Sequence, residues 1–182
     1  MTRQQKQIAI AAAAMAGAGL GLLVVGMNSC VSIPKKARAV TPFDPDRYMG
    51  KWYEIARMDF RFERGLSKVT ALYAKKDEKS IWVINRGYDE KKKKWKQSVG
   101  RAHAIVPDTG RLKVSFFGPF FAGYNVIAID PNYQYALVAG NDLDYLWLLS
   151  RNKTMPDDVM HRYLEIAQRA GYDTGKLVWT RQ

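Results

Sequence analysis

Few residues in this chain could perform acid–base or metal chemistry. Its two histidines, His103 and His161, fall in a predicted strand and a predicted helix, and Cys30 is the only cysteine. A single cysteine provides neither an intrachain disulfide nor a paired-cysteine metal site, and no H-x-x-x-H, G-x-S-x-G or phosphate-binding glycine loop occurs. We therefore predict no catalytic residue, no metal site and no cofactor. Glu54 in the first predicted strand leaves one alternative, an enzyme that acts on an apolar substrate.

The N-terminus has the pattern of an export signal. Arg3 and Lys6 precede the uncharged stretch "IAIAAAAMAGAGLGLLVVGMNS", and a positive start followed by an apolar run is typical of such signals. The run is about 20 residues long, which is also the length of a membrane-spanning helix. An uncleaved anchor is therefore the alternative interpretation.

The apolar run ends at the lone cysteine, in "VVGMNSC". A small residue, Ser29, directly before Cys30 resembles the processing site of bacterial lipoproteins, in which the cysteine becomes the acylated first residue of the mature protein. We predict a signal peptide over residues 1–29, lipidation of Cys30, and a tether over residues 30–42, where "VSIPKKARAVTP" carries two prolines and no periodicity.

A run of four lysines occupies residues 91–94, in a predicted hairpin turn of a chain whose formal net charge is +12. A solvated loop tip is the simplest interpretation. Attraction to anionic lipid headgroups is the alternative that a nearby membrane would favour. Nucleic acid is not expected as a partner, because an exported chain rarely meets it and because the aromatic residues lie in predicted strands, not beside the lysines.

Residues 43–182 predict one β-rich domain. Turn-forming clusters such as "KKDEKS", "VPDTG" and "DPNY" recur every 8–14 residues, and eight short segments rich in Val, Ile and aromatic residues lie between the turns. Such regular spacing is typical of an antiparallel sandwich or barrel. One helix is predicted over "TMPDDVMHRYLEIAQRAG", with a capping box at Thr154 and Asp157, and "KLVWT" predicts a last short strand.

Two motifs at opposite ends of the strand series predict how the sheet closes. "GKWYEIAR" places Gly50 and Trp52 at the entry to the first strand, and "NDLDYLWLLSR" ends with Arg151 after the eighth. In a closed barrel the first and last strands are neighbours. Arg151 would then lie across Trp52 in a cation–π contact.

Together with "RFERGLSKVTA", "INRGY", "LKVSFFGPFFAGYNVIAID" and "GYDTGKLVWTRQ", these motifs resemble the lipocalin family, and closely its bacterial lipoprotein members, over residues 43–182. The resemblance implies an all-β fold, an eight-stranded antiparallel up-and-down β-barrel (lipocalin) with one flanking C-terminal α-helix. The barrel would be closed at the Trp52 end and open at the other. Gly50, Trp52 and Arg151 carry over as structural residues of the closed end.

The barrel interior is predicted from strand alternation. In "LKVSFFGPFF", Lys113 should meet solvent, so Val114 and Phe116 should point inward and Phe117 outward. A rim of aromatic side chains is expected if the hairpin that follows lies at the open end, and a packed core is the alternative for any one of them. On the other strands the same alternation applies, and the family resemblance indicates which face points inward. The predicted ligand-binding residues are Val69, Ala71, Tyr73, Val83, Asn85, Val114, Phe116, Asn125, Ile127, Tyr145 and Trp147.

The resemblance also implies a function. Members of the family bind small apolar molecules, and the bacterial lipoprotein members are associated with fatty acids, such as palmitate, and lysophospholipids. We expect lipid binding, storage or transport for membrane maintenance, at the periplasmic face of the outer membrane, with a lipid anchor and a possible homodimer. The alternatives are an enzyme acting within the barrel and a structural envelope lipoprotein that binds partner proteins.

Overall fold

Eight consecutive strands form the body of the molecule. They are present in a computed structural model that describes residues 31–182, and residues 1–30 lie outside the described part. The strands are β1 (Gly50–Met58), β2 (Leu66–Lys75), β3 (Ile81–Asp89), β4 (Lys94–Ala104), β5 (Arg111–Phe117), β6 (Phe120–Ile129), β7 (Tyr135–Ala139) and β8 (Leu146–Ser150).

Each strand pairs with the next in antiparallel fashion, and β1 closes the sheet by pairing with both β2 and β8. Closure gives each of the eight strands a partner on both sides, which is how up-and-down barrels avoid a fully unpaired edge strand. The predicted eight-stranded antiparallel barrel is confirmed. Its connections at residues 76–80, 105–110 and 130–134 surround the end where β1 begins and β8 finishes, and those at 59–65, 90–93, 118–119 and 140–145 surround the other end.

Four further elements flank the barrel. They are a short helix α1 (Pro45–Tyr48), the C-terminal helix α2 (Asp157–Ala170), a 3₁₀ turn (Thr174–Lys176) and a ninth strand, β9 (Leu177–Trp179), which pairs with β1. The sequence did not predict α1. The predicted capping box of α2 is wrong, because the helix begins at Asp157 with Pro156 as N-cap and no side-chain cap. Within residues 31–182, no helix has the length and apolarity needed to cross a membrane.

Two hydrophobic cores hold these elements together. One lies between the barrel wall and α2, which buries Val159, Tyr163, Ala167 and Ala170. The other fills the closed end of the barrel around Trp52. The helix therefore stabilises the barrel from outside and leaves the space within it to other side chains.

Residues 31–42, expected to be a tether, lie against the barrel wall. The backbone N–H of Val40 donates to the carbonyl oxygen of Val126 at 2.9 Å, and Gly110 N–H donates to Val40 O at 2.9 Å. Ala37 is buried, and Ser32 Oγ donates to Asn141 O at 2.9 Å. The prediction of a tether between membrane and domain did not include this packing, in which hydrogen bonds and apolar burial fix the segment to the domain.

Candidate ligand-binding cavity

One end of the barrel is sealed by an arginine and a tryptophan. Trp52 is fully buried, and its indole N–H donates to Tyr48 O at 2.9 Å. The guanidinium carbon of Arg151 lies 3.8 Å from the centre of a Trp52 ring, within cation–π range. The guanidinium also donates to three carbonyl oxygens, those of Tyr133 (3.2 Å), Lys51 (3.0 Å) and Arg47 (2.9 Å).

Gly50 makes room for this arrangement. Its φ of +100° lies in the left-handed region that glycine tolerates best. A Cβ at this position would lie 3.1 Å from Arg151 Nη1. The structure thus brings Gly50, Trp52 and Arg151 together, and all three lie apart from the residues that line the cavity.

Three tyrosine hydroxyls form the floor above this seal. Tyr124 Oη lies 2.7 Å from Tyr48 Oη and 2.7 Å from Tyr73 Oη. Burial away from water raises the pKa of all three hydroxyls, so they stay neutral. Three hydroxyl protons share two hydrogen bonds, and Tyr73 and Tyr124 line the cavity space. The two mutual hydrogen bonds use two of the three hydroxyl protons, and the third can be donated to a group inside the barrel when Tyr73 or Tyr124 carries it.

Above the floor lies a cavity of about 730 Å³, open at one end, with a smaller chamber of about 70 Å³ beneath it. Ligand sites commonly measure about 300–1,000 Å³, so the space suits one small amphiphile. The predicted ligand-binding residues Val69, Asn85, Val114, Phe116, Tyr145 and Trp147 line the main cavity. Ala71, Tyr73 and Val83 line the smaller chamber.

The predictions for Asn125 and Ile127 have the wrong register. Tyr124 lines the cavity and Val126 belongs to the core inside the barrel, so the residues between and after them point outward. Asn125 Nδ2 donates to the carbonyl oxygens of Ser32 (3.1 Å), Ala139 (3.3 Å) and Gly140 (3.0 Å) on the outer wall. Ile127 packs in the core beneath α2.

Sequence alternation could not find the residues that loops bring to the mouth. Phe60, in the connection between β1 and β2, places its ring 5.4 Å from Tyr145 and 5.5 Å from Trp147. The aromatic residues of "MDFRFERG" were the available signal. Phe60 and Phe62 both line the cavity, so this connection partly covers the opening.

A buried cluster of charges fixes the same connection. Arg57 Nη1 donates to Glu54 Oε1 at 2.7 Å and Nη2 donates to Glu63 O at 2.7 Å. Burial, and then the neighbouring Glu54 carboxylate, raise the pKa of Glu63 well above its ordinary value. Arg57 Nε lies 3.8 Å from the Glu63 carboxyl. At this distance the guanidinium, which is hydrogen-bonded to Glu54, does not cancel the rise in the pKa of Glu63. Trp147 Nε1 donates to Glu63 Oε2 at 3.3 Å, which ties the connection to the cavity wall.

Lysines line one side of the opening. β4 pairs with β5 only over residues 101–104, so its first half extends beyond the neighbouring strand. Lys92, Lys94 and Lys96 line the cavity there. Lys96 pairs with Asp89 at 2.8 Å, whereas Lys92 and Lys94 form no ion pair within residues 31–182. This positive rim would attract an anionic headgroup.

The histidines take no part in the cavity. His103 Nδ1 lies 3.1 Å from Lys79 O, beside the connection at the closed end, and His161 is exposed on α2. In the described part of the chain, no group of three or more His, Cys, Asp or Glu side chains could hold a metal ion. The arrangement can bind and release an amphiphile. Cys30 lies outside the described residues.

Comparisons with known proteins agree with this architecture. A family model for the lipocalin-like domain matches residues 43–182. The outer membrane lipoprotein Blc of Citrobacter freundii is 52% identical over 150 residues, which cover 82% of this chain and 85% of that protein. The Blc protein of Vibrio cholerae is 44% identical over 163 residues, covering 88% of this chain and 95% of that protein.

Solved structures share the fold at low identity. Lobster apocrustacyanin A1 superposes with a TM-score of 0.65 at 16% identity, covering 87% of this chain and 93% of that one. Insecticyanin from the tobacco hornworm Manduca sexta superposes with a TM-score of 0.65 at 19% identity, covering 83% and 87%.

Proposed function

Because this chain belongs to the lipocalin family, we propose that it binds, stores or transports single-chain lipids, namely fatty acids or lysophospholipids, for maintenance of the outer membrane. The observation that carries the proposal is the cavity of about 730 Å³. It combines an aromatic and aliphatic wall with a lysine-bearing mouth, so it matches a molecule with one apolar chain and one anionic head. Binding is reversible and makes or breaks no covalent bond.

The energetics favour moderate affinity. An acyl chain gains up to about 0.8 kcal/mol per buried CH₂. Much of this gain is offset, because a free lipid already hides its chain in a bilayer or micelle and because binding costs translational freedom. We expect micromolar dissociation constants. A two-chain phospholipid should bind more weakly, since an eight-stranded barrel has little spare cross-section.

The anchor is the second part of the proposal. Residues 1–29 act as a signal peptide, and Cys30 becomes the lipidated first residue of the mature protein. Val31 follows it where an aspartate is associated with inner-membrane retention, so the protein is sorted to the outer membrane. The relatives named outer membrane lipoprotein Blc support this location, and the periplasmic face is the expected side.

An enzyme within the barrel is the weaker proposal. Glu54 is the buried carboxylate that lines the inner chamber. Its Oε1 atom already accepts from Arg57 Nη1 at 2.7 Å and from Thr180 Oγ1. A carboxylate held in this way is poorly placed to take a proton from a ligand.

Titration of the delipidated protein with lysophospholipids and fatty acids tests the binding role. We expect one lipid per barrel and quenching of tryptophan emission, with Trp147 as the main reporter because it lines both the cavity and the inner chamber, whereas Trp95 lies at the exposed mouth. Lys94→Gln should weaken binding of anionic lipids more than that of uncharged ones. Lys153→Gln, on an exposed residue after β8, is the matched control and should change neither. Absence of saturable binding would rule out the proposed function.

A further inference from the structure

The open end of the barrel carries most of the large apolar side chains that the described surface exposes. Phe62 is 69% exposed, Phe117 70%, Phe120 51% and Trp95 46%. Elsewhere within residues 31–182, Trp179 on β9 is 52% exposed, and Val106, a smaller side chain at the closed end, is 41% exposed. We propose that the open end docks onto the surface of an anionic lipid bilayer, an inference that rests on the lipid anchor and lipid binding proposed above.

The exposed aromatic rings come from three neighbouring connections of the barrel. Phe62 lies between β1 and β2, Trp95 is the second residue of β4, and Phe117 and Phe120 flank the tip between β5 and β6. Clustered exposed apolar groups are uncommon on proteins that contact only water. Aromatic side chains bury an apolar ring at the headgroup level of a bilayer, which gives each connection a point of insertion.

The charges on the rim agree with a membrane partner. None of the four lysines at residues 91–94 forms an ion pair among the residues that the structure describes, because the nearby acids are engaged elsewhere: Asp89 with Lys96 and Glu90 with Arg181. Free lysines beside apolar side chains attract anionic headgroups. Asp142 and Asp144 lie on the connection between β7 and β8, opposite the lysines in barrel order. The contact should therefore be tilted toward the lysine side.

The position of Val31 makes this orientation possible. The segment runs along the wall from Phe43, whose N–H bonds Asp108 O at the closed end, to Ser32, which bonds Asn141 beside the mouth. Cys30 directly precedes Val31 in the sequence. Acyl chains on Cys30 would therefore enter the bilayer beside the mouth. A closed-end contact would require the segment to detach.

Docking in this way removes an aqueous step from lipid exchange. A single-chain lipid in the leaflet that the open end contacts could move between the bilayer and the cavity without exposing its whole chain to water. Leaving water out of this step lowers its barrier, because chain exposure costs free energy in proportion to the apolar area wetted. The aromatic rim would then serve as the entry path for the cavity it surrounds.

Site-specific quenching tests the orientation in the full-length lipidated protein. Lipidation consumes the thiol of Cys30, so a single introduced cysteine can carry an environment-sensitive fluorophore. Labels on Phe117→Cys and Phe62→Cys report the mouth, and a label on Val106→Cys is the matched control at the closed end. The proteins are reconstituted in vesicles of phosphatidylethanolamine and phosphatidylglycerol that contain spin-labelled lipid as quencher.

We expect strong quenching at positions 117 and 62 and none at position 106. Replacing all four lysines at residues 91–94 by glutamine should reduce quenching at position 117 while the protein stays membrane-bound. Equal quenching at positions 117 and 106 would overturn the docking and leave the proposed function standing. Protein that does not join vesicles at all would overturn the anchor, and the docking with it. Self-quenching between labels at position 117 in detergent would instead assign this surface to a second copy of the chain.

Discussion

Arg151 holds the closed end through one planar group that meets four partners. Three carbonyl oxygens accept from its nitrogens, and the Trp52 ring lies beneath its guanidinium carbon. Lysine cannot reproduce this geometry, because an ammonium group is a compact point charge without the planar fork. The residue thus joins α1, the start of β1 and the β6–β7 connection in a single contact.

Removing this group should weaken the fold and spare binding. Arg151→Ala is expected to cost about 1–2 kcal/mol of unfolding free energy, with Arg151→Lys in between, as measured by denaturant unfolding. Ligand affinity should change little, because the tyrosine floor separates Arg151 from the cavity. Arg169→Ala on the exposed face of α2 should change stability by no more than about 0.5 kcal/mol. Lost binding with unchanged stability would show that Arg151 serves the ligand directly.

Neighbouring phenylalanines on β5 allow a direct test of the strand register. Phe116 is partly buried against the inner core, whereas Phe117 lies at the rim of the cavity and is 70% exposed. Phe116→Trp narrows the cavity and should weaken binding of a long-chain lysophospholipid, and Phe117→Trp should leave affinity in solution nearly unchanged. Isothermal titration calorimetry measures both affinities without relying on tryptophan fluorescence, which the substitutions themselves change. Equal losses would contradict the register of β5.

At the scale of elements, the connection between β1 and β2 should respond to pH. Burial raises the pKa of Glu63 above its ordinary value of 4.5, so the folded position favours the protonated carboxyl. The protonated Glu63 carboxyl stabilises the packed conformation of residues 59–65. This stabilisation is complete below pH 4.5 and is lost as pH rises through the raised pKa. Amide protection factors at residues 59–65 should therefore fall as pH rises.

Substitution distinguishes this effect from a general loss of stability. Glu63→Gln mimics the neutral carboxyl, so protection at residues 59–65 should stay high and independent of pH. Glu165→Gln, on the exposed face of α2, should retain the dependence of the unmodified protein. A rise in protection with pH would contradict the assignment, since it would mean that the ionised carboxylate is the buried form.

Alternation predicted the strands well and failed where both faces of a strand are buried. On β5 the polar Lys113 identifies the outer face, and Val114 and Phe116 line the cavity as expected. On β6 every residue from Gly123 to Ala128 is buried, since one face lines the barrel and the other lies under the N-terminal segment and α2. No polar residue then marks the outer face of β6. Alternation therefore predicted Asn125 to point inward, although its side chain donates a hydrogen bond to Ser32 in the N-terminal segment.

The packing of residues 31–42 was also beyond prediction from composition. Its contacts are chiefly backbone hydrogen bonds and the burial of Ala37, which leave no hydrophobic period in the sequence. Phe60 and Lys92 lie in connections, where alternation does not apply, and Lys94 and Lys96 lie on the part of β4 that extends beyond β5. The fold and most of the cavity wall follow from strand patterns and the family resemblance, and the rim depends on how the connections fold over.

At the scale of the whole molecule, attachment should depend on one atom, the sulfur of Cys30. Cys30→Ala is expected to remove the protein from the membrane fraction while the domain stays folded, as judged by fractionation and circular dichroism. Ser29→Ala keeps a small residue before the cysteine and should remain membrane-bound. Retention of Cys30→Ala in the membrane pellet would favour the uncleaved apolar anchor over lipidation.

The bound N-terminal segment also sets how far the protein can travel. Twelve residues that hung free would give the barrel a leash of up to about 40 Å. Because residues 31–42 are bonded along the barrel wall instead, they do not extend this distance. An anchored barrel would therefore stay in contact with its own membrane. A barrel held in this way cannot carry a bound lipid across a compartment. Its traffic with any other membrane or soluble acceptor would be limited by how often that acceptor collides with it, so the rate of export should rise in proportion to acceptor concentration.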